Sequence, residues 1–158
     1  MELYFLRHAE AEAKAPGMED VDRALTEEGR KVIGRVIEGL KRDGVRFDII
    51  FTSPLFRARQ TAEILANTLS PAGGTVVTNA LLVGSPPSEL VAELKGRQVL
   101  RIILIVGHEP HLGMCIAWLT GKGEEETKLK KGACARVEVT SPGEGRGELS
   151  WIKRAEEF

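Results

Sequence analysis

The stretch Val99–Pro110, VLRIILIVGHEP, decides the fold class of this chain. Its first part, Val99–Val106, is apolar nearly throughout, which predicts a strand buried on both faces of a sheet. Helices must then cover both faces, because an uncovered face would leave apolar side chains in water. Gly107 ends the predicted strand, and Pro110 begins a predicted helix that runs to about Thr120.

Strand-like and helix-like stretches alternate on both sides of this central strand. Thr26 is typical of a helix N-cap, and Ser53 followed by Pro54 predicts the N-cap and first residue of a second helix. The alternation predicts an α/β fold with a mostly parallel sheet, to which a C-terminal hairpin adds an antiparallel edge. The remaining predicted strands cover residues 2–7, 47–52, 75–78, 133–140 and 147–154.

Composition narrows the class of protein. A chain of 158 residues is long enough for one domain, 1–158, with its own core. Hydrophobic residues at 42% and charged residues at 28% exclude a chain disordered throughout. The net charge of -1 argues against a general nucleic-acid surface, and no apolar run reaches the ~18 residues of a membrane span. Without a signal peptide, Cys115 and Cys134 are expected to be reduced thiols in the cytoplasm.

Residues with reactive or cationic side chains follow three of the predicted strands. Arg7 and His8 end the first strand, Arg57 lies one turn into the helix after the second, and His108 follows the fourth. Parallel strands bring their carboxyl ends to one edge of a sheet, so these residues should converge. Two neighbouring arginines repel unless an anion lies between them, and phosphate matches the guanidinium geometry.

The same positions carry a family resemblance. Arg7-His8-Ala9, Thr52–Ala62 (TSPLFRARQTA) and Gly107–Pro110 (GHEP) resemble the three signatures of the histidine phosphatase superfamily, the phosphoglycerate-mutase-like proteins. Asp20–Gly29 (DVDRALTEEG) is similar to a segment of the SixA-type phosphohistidine phosphatases. The resemblance spans nearly the whole chain and implies a three-layer α/β/α fold.

The resemblance also implies roles for four residues. His8 matches the nucleophile that is transiently phosphorylated, and His108 matches the histidine that hydrogen-bonds the transferring group. Arg7 and Arg57 match the arginines that hold the phosphoryl oxygens. Fixed positive charge suits phosphoryl transfer, whose transition state spreads negative charge over three oxygens. The implied enzyme is a metal-independent phosphatase without a cofactor.

Two departures from the family pattern affect the expected chemistry. Ala9 replaces the usual glycine, and its extra methyl group should have a modest effect. Larger relatives carry a glutamate that protonates an alcohol leaving group, whereas the candidates here, Glu89, Glu109 and Glu10, are all weak. Without a convincing general acid, a substrate with a labile P–N bond is favoured, because it depends less on protonation of its leaving group. This favours a SixA-like substrate.

The sequence therefore predicts a phosphatase that acts on phosphohistidine in a protein, with no nucleic-acid or membrane partner. One alternative is a phosphomonoesterase for a small phosphate ester. Another, from a different class, is a feeble or inactive phosphate-binding regulatory module.

The other polar residues are expected to be structural. His111 should face solvent or cap a helix. Arg23 should either fold its loop over the pocket or pair with Asp20 or Asp22. The basic run Lys128–Lys131 should form a solvated face, and it could also orient an acidic partner protein.

Overall fold

The computed structural model describes residues 1–158 and contains a six-stranded sheet between two layers of helices. The strand order is β3-β2-β4-β1-β5-β6, in which β3, β2, β4 and β1 are parallel and β5 is antiparallel to both of its neighbours, β1 and β6. This confirms the predicted α/β fold with its antiparallel C-terminal edge. The strands are β1 Glu2–Arg7, β2 Ile49–Thr52, β3 Thr75–Val77, β4 Ile102–Gly107, β5 Cys134–Val139 and β6 Gly147–Lys153, and the helices are α1 Glu27–Arg42, α2 Phe56–Leu69, α3 Pro87–Lys95, α4 His111–Thr120 and α5 Glu124–Thr127.

Alternate residues of β4 face two separate cores, because successive side chains of a strand point to opposite faces. Ile103 and Ile105 pack in the core that contains α3 and α4. Leu104 and Val106 pack in the core that contains α1 and α2. All four side chains are fully buried, so the nearly continuous apolar run reflects a strand covered on both faces.

The start of β4 differs from the prediction. The strand begins at Ile102, and Val99 lies outside it with 89% of its surface exposed. The Asp48 carboxylate accepts hydrogen bonds from the backbone N–H groups of Arg101 and Ile102, at 2.7 and 2.9 Å. Pairing with the sheet therefore begins where Asp48 fixes the chain, which hydropathy alone does not indicate.

The helix N-termini confirm one predicted cap and overturn another. Thr26 Oγ1 accepts a hydrogen bond of 2.9 Å from Gly29 N and caps α1. Ser53 does not cap α2, because that helix begins only at Phe56. Ser53 Oγ instead accepts a hydrogen bond of 3.3 Å from Leu55 N in the turn before the helix.

The loop between β1 and α1 is long, and it is anchored to the rest of the fold. A bridge between Ala11 and Leu25 and a 3₁₀ turn at Asp20–Asp22 give it local structure. Gln60 Oε1 of α2 accepts a hydrogen bond of 2.8 Å from Leu25 N. No helix of the structure combines the length and apolar character that crossing a membrane requires.

A close backbone contact also fixes this loop on α1, and it gives a test of the fold. A Cβ atom at Gly29 would lie 2.3 Å from Glu10 O, whereas a Cβ atom at Gly34 in the same helix would meet nothing within 4 Å. Gly29→Ala should therefore lower the free energy of unfolding by about 1–3 kcal/mol, because the loop must move.

The matched control is Gly34→Ala, which should raise the free energy of unfolding by up to ~1 kcal/mol through helix propensity. Urea unfolding followed by circular dichroism measures both variants. Equal stability of the two variants would contradict the close approach of the loop to α1.

Candidate active site

The sheet brings the four predicted residues together at one edge. Arg7 pairs with Gly107 in the register of β1 and β4, so His8 and His108 follow at the same level. The rings of these two histidines lie 5.0 Å apart between centroids. Arg57, in the first turn of α2, reaches His8 from the side of β2. We refer to Arg7, His8, Arg57 and His108 as the His8 site.

The hydrogen bonds of His8 define which ring nitrogen is free of a proton. Nδ1 lies 2.7 Å from Ala9 O, and since a carbonyl only accepts, Nδ1 carries the hydrogen. Nε2 accepts a hydrogen bond of 3.2 Å from Arg57 Nε and is therefore unprotonated. Burial, together with the smaller effects of the positive charges of Arg57 and Arg7, lowers the pKa of His8 to about 4. A neutral imidazole with a lone pair on Nε2 is a competent nucleophile.

Ser53 orients His108. Ser53 Oγ lies 2.7 Å from His108 Nε2 and already accepts a hydrogen bond from Leu55 N, so its hydroxyl proton is available to Nε2. When Ser53 donates this proton to Nε2, the ring proton of His108 lies on Nδ1, a buried atom with no partner. Burial lowers the pKa of His108 to about 3, with His8 and Arg57 adding to the effect. His108 can thus offer one neutral N–H donor.

The sequence did not reveal the contact of Ser53 with His108. The serine occupies a strand exit, like the other members of the site, but its type and its proline neighbour are equally typical of a helix cap.

The two arginines are held by different parts of the chain. Arg7 Nη1 donates to Leu129 O at 3.0 Å, and its buried Nε has no partner. Arg57 Nη1 donates to Asp20 O at 3.1 Å, and Nη2 lies 3.4 Å from the carboxylate of Asp20. Each guanidinium is thereby fixed on one side of His8.

Asp20 is shared between two cations. Its Oδ1 pairs with Arg23 Nε at 2.9 Å, while its Oδ2 faces Arg57. Burial acts to raise the pKa of Asp20, but attraction to Arg57 and Arg23 outweighs it and leaves the pKa lowered. Of the two alternatives for Arg23, the ion pair with Asp20 is present. The contact of Asp20 with Arg57 was not anticipated, because the two residues are distant in the chain.

None of the three candidate acids hydrogen-bonds a histidine of the site. Glu10 and Glu89 are exposed. Glu109 Oε1 accepts hydrogen bonds from Gly113 N at 3.1 Å and from Leu129 N at 3.2 Å. Burial raises the pKa of Glu109, against the opposing effect of these N–H groups and of Arg7. Glu109 therefore ties α4 to the segment before β5.

The prediction for His111 is wrong. Its side chain is only 1% exposed, and its ring nitrogens lie 3.6 and 3.9 Å from Cys115 Sγ, one turn further along α4. Burial lowers the pKa of His111. The first turn of α4 is covered by other parts of the fold. The position of His111 at the start of a helix therefore does not expose its side chain to solvent.

Metal-ligating side chains are not grouped in this structure. No group of three or more His, Cys, Asp or Glu side chains is arranged to hold a metal ion. The polar groups of the His8 site are two imidazoles and two guanidiniums, which suit an anion.

Comparison with known proteins places this site in a family. An uncharacterized protein of Picosynechococcus sp. is 39% identical over 72% of this chain and 69% of its own length. A protein histidine phosphatase SixA complexed with tungstate has the same fold, with a TM-score of 0.87, 24% identity and coverage of 98% and 97% of the two chains. A putative α-ribazole-5′-P phosphatase of Escherichia coli also shares the fold, with a TM-score of 0.78, 19% identity and 98% coverage of both chains.

The sequence model of the histidine phosphatase superfamily (branch 1) matches residues 3–81, half of the chain. That segment contains Arg7, His8 and Arg57, and the fold adds His108 beside them. The chain therefore belongs to branch 1 of the histidine phosphatase superfamily and is a hydrolytic phosphatase.

Proposed function

We propose that this phosphatase removes the phosphoryl group from phosphohistidine in a protein, through a phosphorylated His8. The observation that carries the proposal is the unprotonated Nε2 of His8, which faces Arg57 and lies beside His108 in a buried setting. The enzyme acts without a metal ion, because the arginines supply the positive charge that phosphoryl transfer requires. Reduced, buried Cys115 and Cys134 are compatible with a place in the cytoplasm.

The reaction takes place in two displacements. In the first, the lone pair of His8 Nε2 forms a bond to phosphorus while the P–N bond of the substrate breaks and its imidazole takes a proton from water. In the second, water attacks phosphorus, the bond to Nε2 breaks, and inorganic phosphate leaves as a proton passes to solvent. His8 Nδ1–H stays on Ala9 O throughout, which stabilises the positive charge of the phosphorylated ring.

Arg7, Arg57 and His108 act on the transferring group. The guanidiniums bind its equatorial oxygens, and the hydrogen bond that Arg57 Nε–H donates to His8 can shift to a phosphoryl oxygen as the substrate enters. His108 donates Nδ1–H to the same group, with Ser53 holding its ring. These donors are fixed before the substrate binds, which reduces the cost of reorganisation.

The leaving group favours phosphohistidine. No carboxylic acid is hydrogen-bonded to the histidines, and Glu109 is engaged with backbone N–H groups. An alkoxide needs such an acid, whereas a histidine imidazole leaves more readily. The fold shared with a protein histidine phosphatase SixA agrees with this choice. A small phosphate ester remains the second candidate, since the putative α-ribazole-5′-P phosphatase has the same fold.

A substrate panel tests the proposal. The wild-type enzyme should hydrolyse a phosphohistidine protein with a higher kcat/KM than sugar or nucleotide phosphates, and EDTA should not change either rate. His8→Ala should abolish turnover, because the attacking nitrogen is lost. Phosphate release measures the rates, and acid-labile phosphoprotein after a rapid quench measures the intermediate.

Several results would overturn parts of the proposal. A faster reaction with small esters would support the phosphomonoesterase, and turnover of no substrate would support the phosphate-binding module. Full activity of His8→Ala would remove the mechanism altogether.

The pH dependence of the rate follows from the lowered pKa of His8. A folded pKa of about 4 keeps Nε2 unprotonated at higher pH, so kcat/KM should be flat between about pH 5.5 and 8 and should fall as pH approaches 4. Rates corrected for uncatalysed hydrolysis measure this profile. A rise centred near the ordinary histidine pKa of about 6.5 would contradict it.

Stability gives a control that does not depend on catalysis. Because unfolding returns the pKa of His8 from about 4 to about 6.5, the unfolded state binds more protons in this range. The free energy of unfolding should therefore fall as the pH is lowered from 6.5 to 4. His8→Gln should show a weaker dependence over the same range.

Glu109 should position Arg7 through Leu129. Glu109 Oε1 accepts from Leu129 N, and Leu129 O accepts from Arg7 Nη1. Glu109→Leu removes the acceptor and should lower kcat/KM by on the order of tenfold, since an unsatisfied buried N–H costs about 1–3 kcal/mol.

The conservative control is Glu109→Gln, which keeps an oxygen for the two N–H groups and should retain kcat/KM within about threefold. Steady-state kinetics on a phosphohistidine protein, with a pH profile for each variant, separates the two. Equal losses in both variants would show that the charge of Glu109, and not its hydrogen bonds, is what matters.

A further inference from the structure

A basic cavity opens directly beside Arg7. It has a volume of about 770 Å³, and Arg7 itself lines it. We call this cavity the lysine cleft. Its other cationic lining residues are Lys128, Lys130, Lys131 and Arg154.

The carboxylates of the lysine cleft neutralise only part of its charge. Glu125 Oε1 lies 2.6 Å from Lys128 Nζ, and Glu156 Oε1 lies 3.4 Å from Arg154 Nε. Both acids of the lining are therefore already paired within the cleft. Of the exposed cations that line the cleft, Lys130 and Lys131 have no ion pair.

The lysine cleft is rigidly connected to the His8 site. Leu129 O accepts a hydrogen bond from Arg7 Nη1, and Gly132 N donates to Arg7 O at 3.1 Å and to His8 O at 3.3 Å. The backbone on both sides of Lys130 and Lys131 is thus fastened to the end of β1. An anion held by these lysines would lie next to a phosphoryl group on His8.

The character of the lining indicates what it binds. Lysines are flexible point charges and do not form the fixed forks with which arginines hold a defined small anion. Leu129 is the only apolar residue of the lining, so the cleft lacks the apolar walls of a typical small-molecule site. Mobile carboxylates on the surface of a protein suit such a cleft better.

The two sides of the His8 site differ in charge, and this difference favours one orientation of a bound partner. Arg57, on the β2 side of His8, is covered by Asp20 from a loop that also carries Glu19 and Asp22. The lysine cleft lies on the opposite side, where the chain enters β5. An acidic surface would be repelled by the loop and attracted by the cleft.

We propose that the lysine cleft docks acidic side chains that flank the phosphohistidine of the substrate protein. This inference rests on the proposed function and adds a requirement to it, namely acidic residues near the reacting histidine. Electrostatic complementarity of this kind raises the association rate and therefore kcat/KM, with little effect on the chemical step.

Two synthetic peptides test the inference, each with one phosphohistidine, flanked by glutamates in the first and by glutamines in the second. Wild-type enzyme should prefer the glutamate peptide in kcat/KM, and added NaCl should reduce that preference. Lys130→Glu should lower kcat/KM for the glutamate peptide by on the order of threefold to tenfold, with little change for the glutamine peptide. Lys95→Glu, an exposed lysine at the end of α3 without an ion pair, is the matched control and should leave the preference intact.

Binding separates this inference from the proposed function. A peptide pair carrying a non-hydrolysable phosphohistidine analogue, titrated into the His8→Gln protein, should show the same preference and the same loss with Lys130→Glu. That result would support the docking surface even if turnover of phosphohistidine failed. Equal affinity for both peptides, or equal effects of Lys130→Glu and Lys95→Glu, would overturn it.

Discussion

The parallel register of β1 and β4 is the constraint on which the rest of the site depends. Arg7 pairs with Gly107, so the residues that follow, His8 and His108, leave the sheet at the same level. Pairing of β4 with β2 brings the chain that leads to Arg57 to the same edge. Any shift of one residue would exchange the faces of a strand, and the two apolar cores prevent it.

Burial then determines the electrostatics of the site. Burial disfavours a charged imidazole, the positive charge of Arg57 adds to this effect, and the pKa values of His8 and His108 are both lowered. The neutral ring of His8 bonds Ala9 O through Nδ1 and Arg57 Nε through Nε2, whereas that of His108 bonds Ser53 Oγ through Nε2 and leaves Nδ1 without a partner. The arginines keep their charge, so the site presents positive charge to an anion while the imidazole of His8 remains neutral.

Support for the arginines comes from distant parts of the chain. The segment before β5 holds Arg7 through Leu129 and is itself held by Glu109. The loop after β1 holds Arg57 through Asp20. The same segment before β5 also carries the unpaired lysines, so one connection both fixes Arg7 and shapes the proposed docking surface.

Local signals account for what was predictable. Three features depend on residues that are neighbours in the chain, and the sequence therefore indicates them: the apolar run of β4, the Thr26 cap of α1 and the C-terminal hairpin. The convergence of Arg7, His8, Arg57 and His108 followed from the rule that parallel strands end at one edge. The match of the family model to half of the chain then showed that the protein is a histidine phosphatase.

Tertiary structure decided the contacts between side chains distant in the chain. Ser53 turns toward His108 and does not cap α2, His111 is buried under a covered helix face, and Asp20 reaches Arg57. Each outcome depends on which surfaces come into contact when the layers pack, and no local pattern encodes that. The sequence alone determined the fold class and predicted which four residues meet at the His8 site. The tautomers, the lowered pKa values and the partners of the arginines arise only from packing, because burial and hydrogen-bond geometry do not exist before the chain is folded.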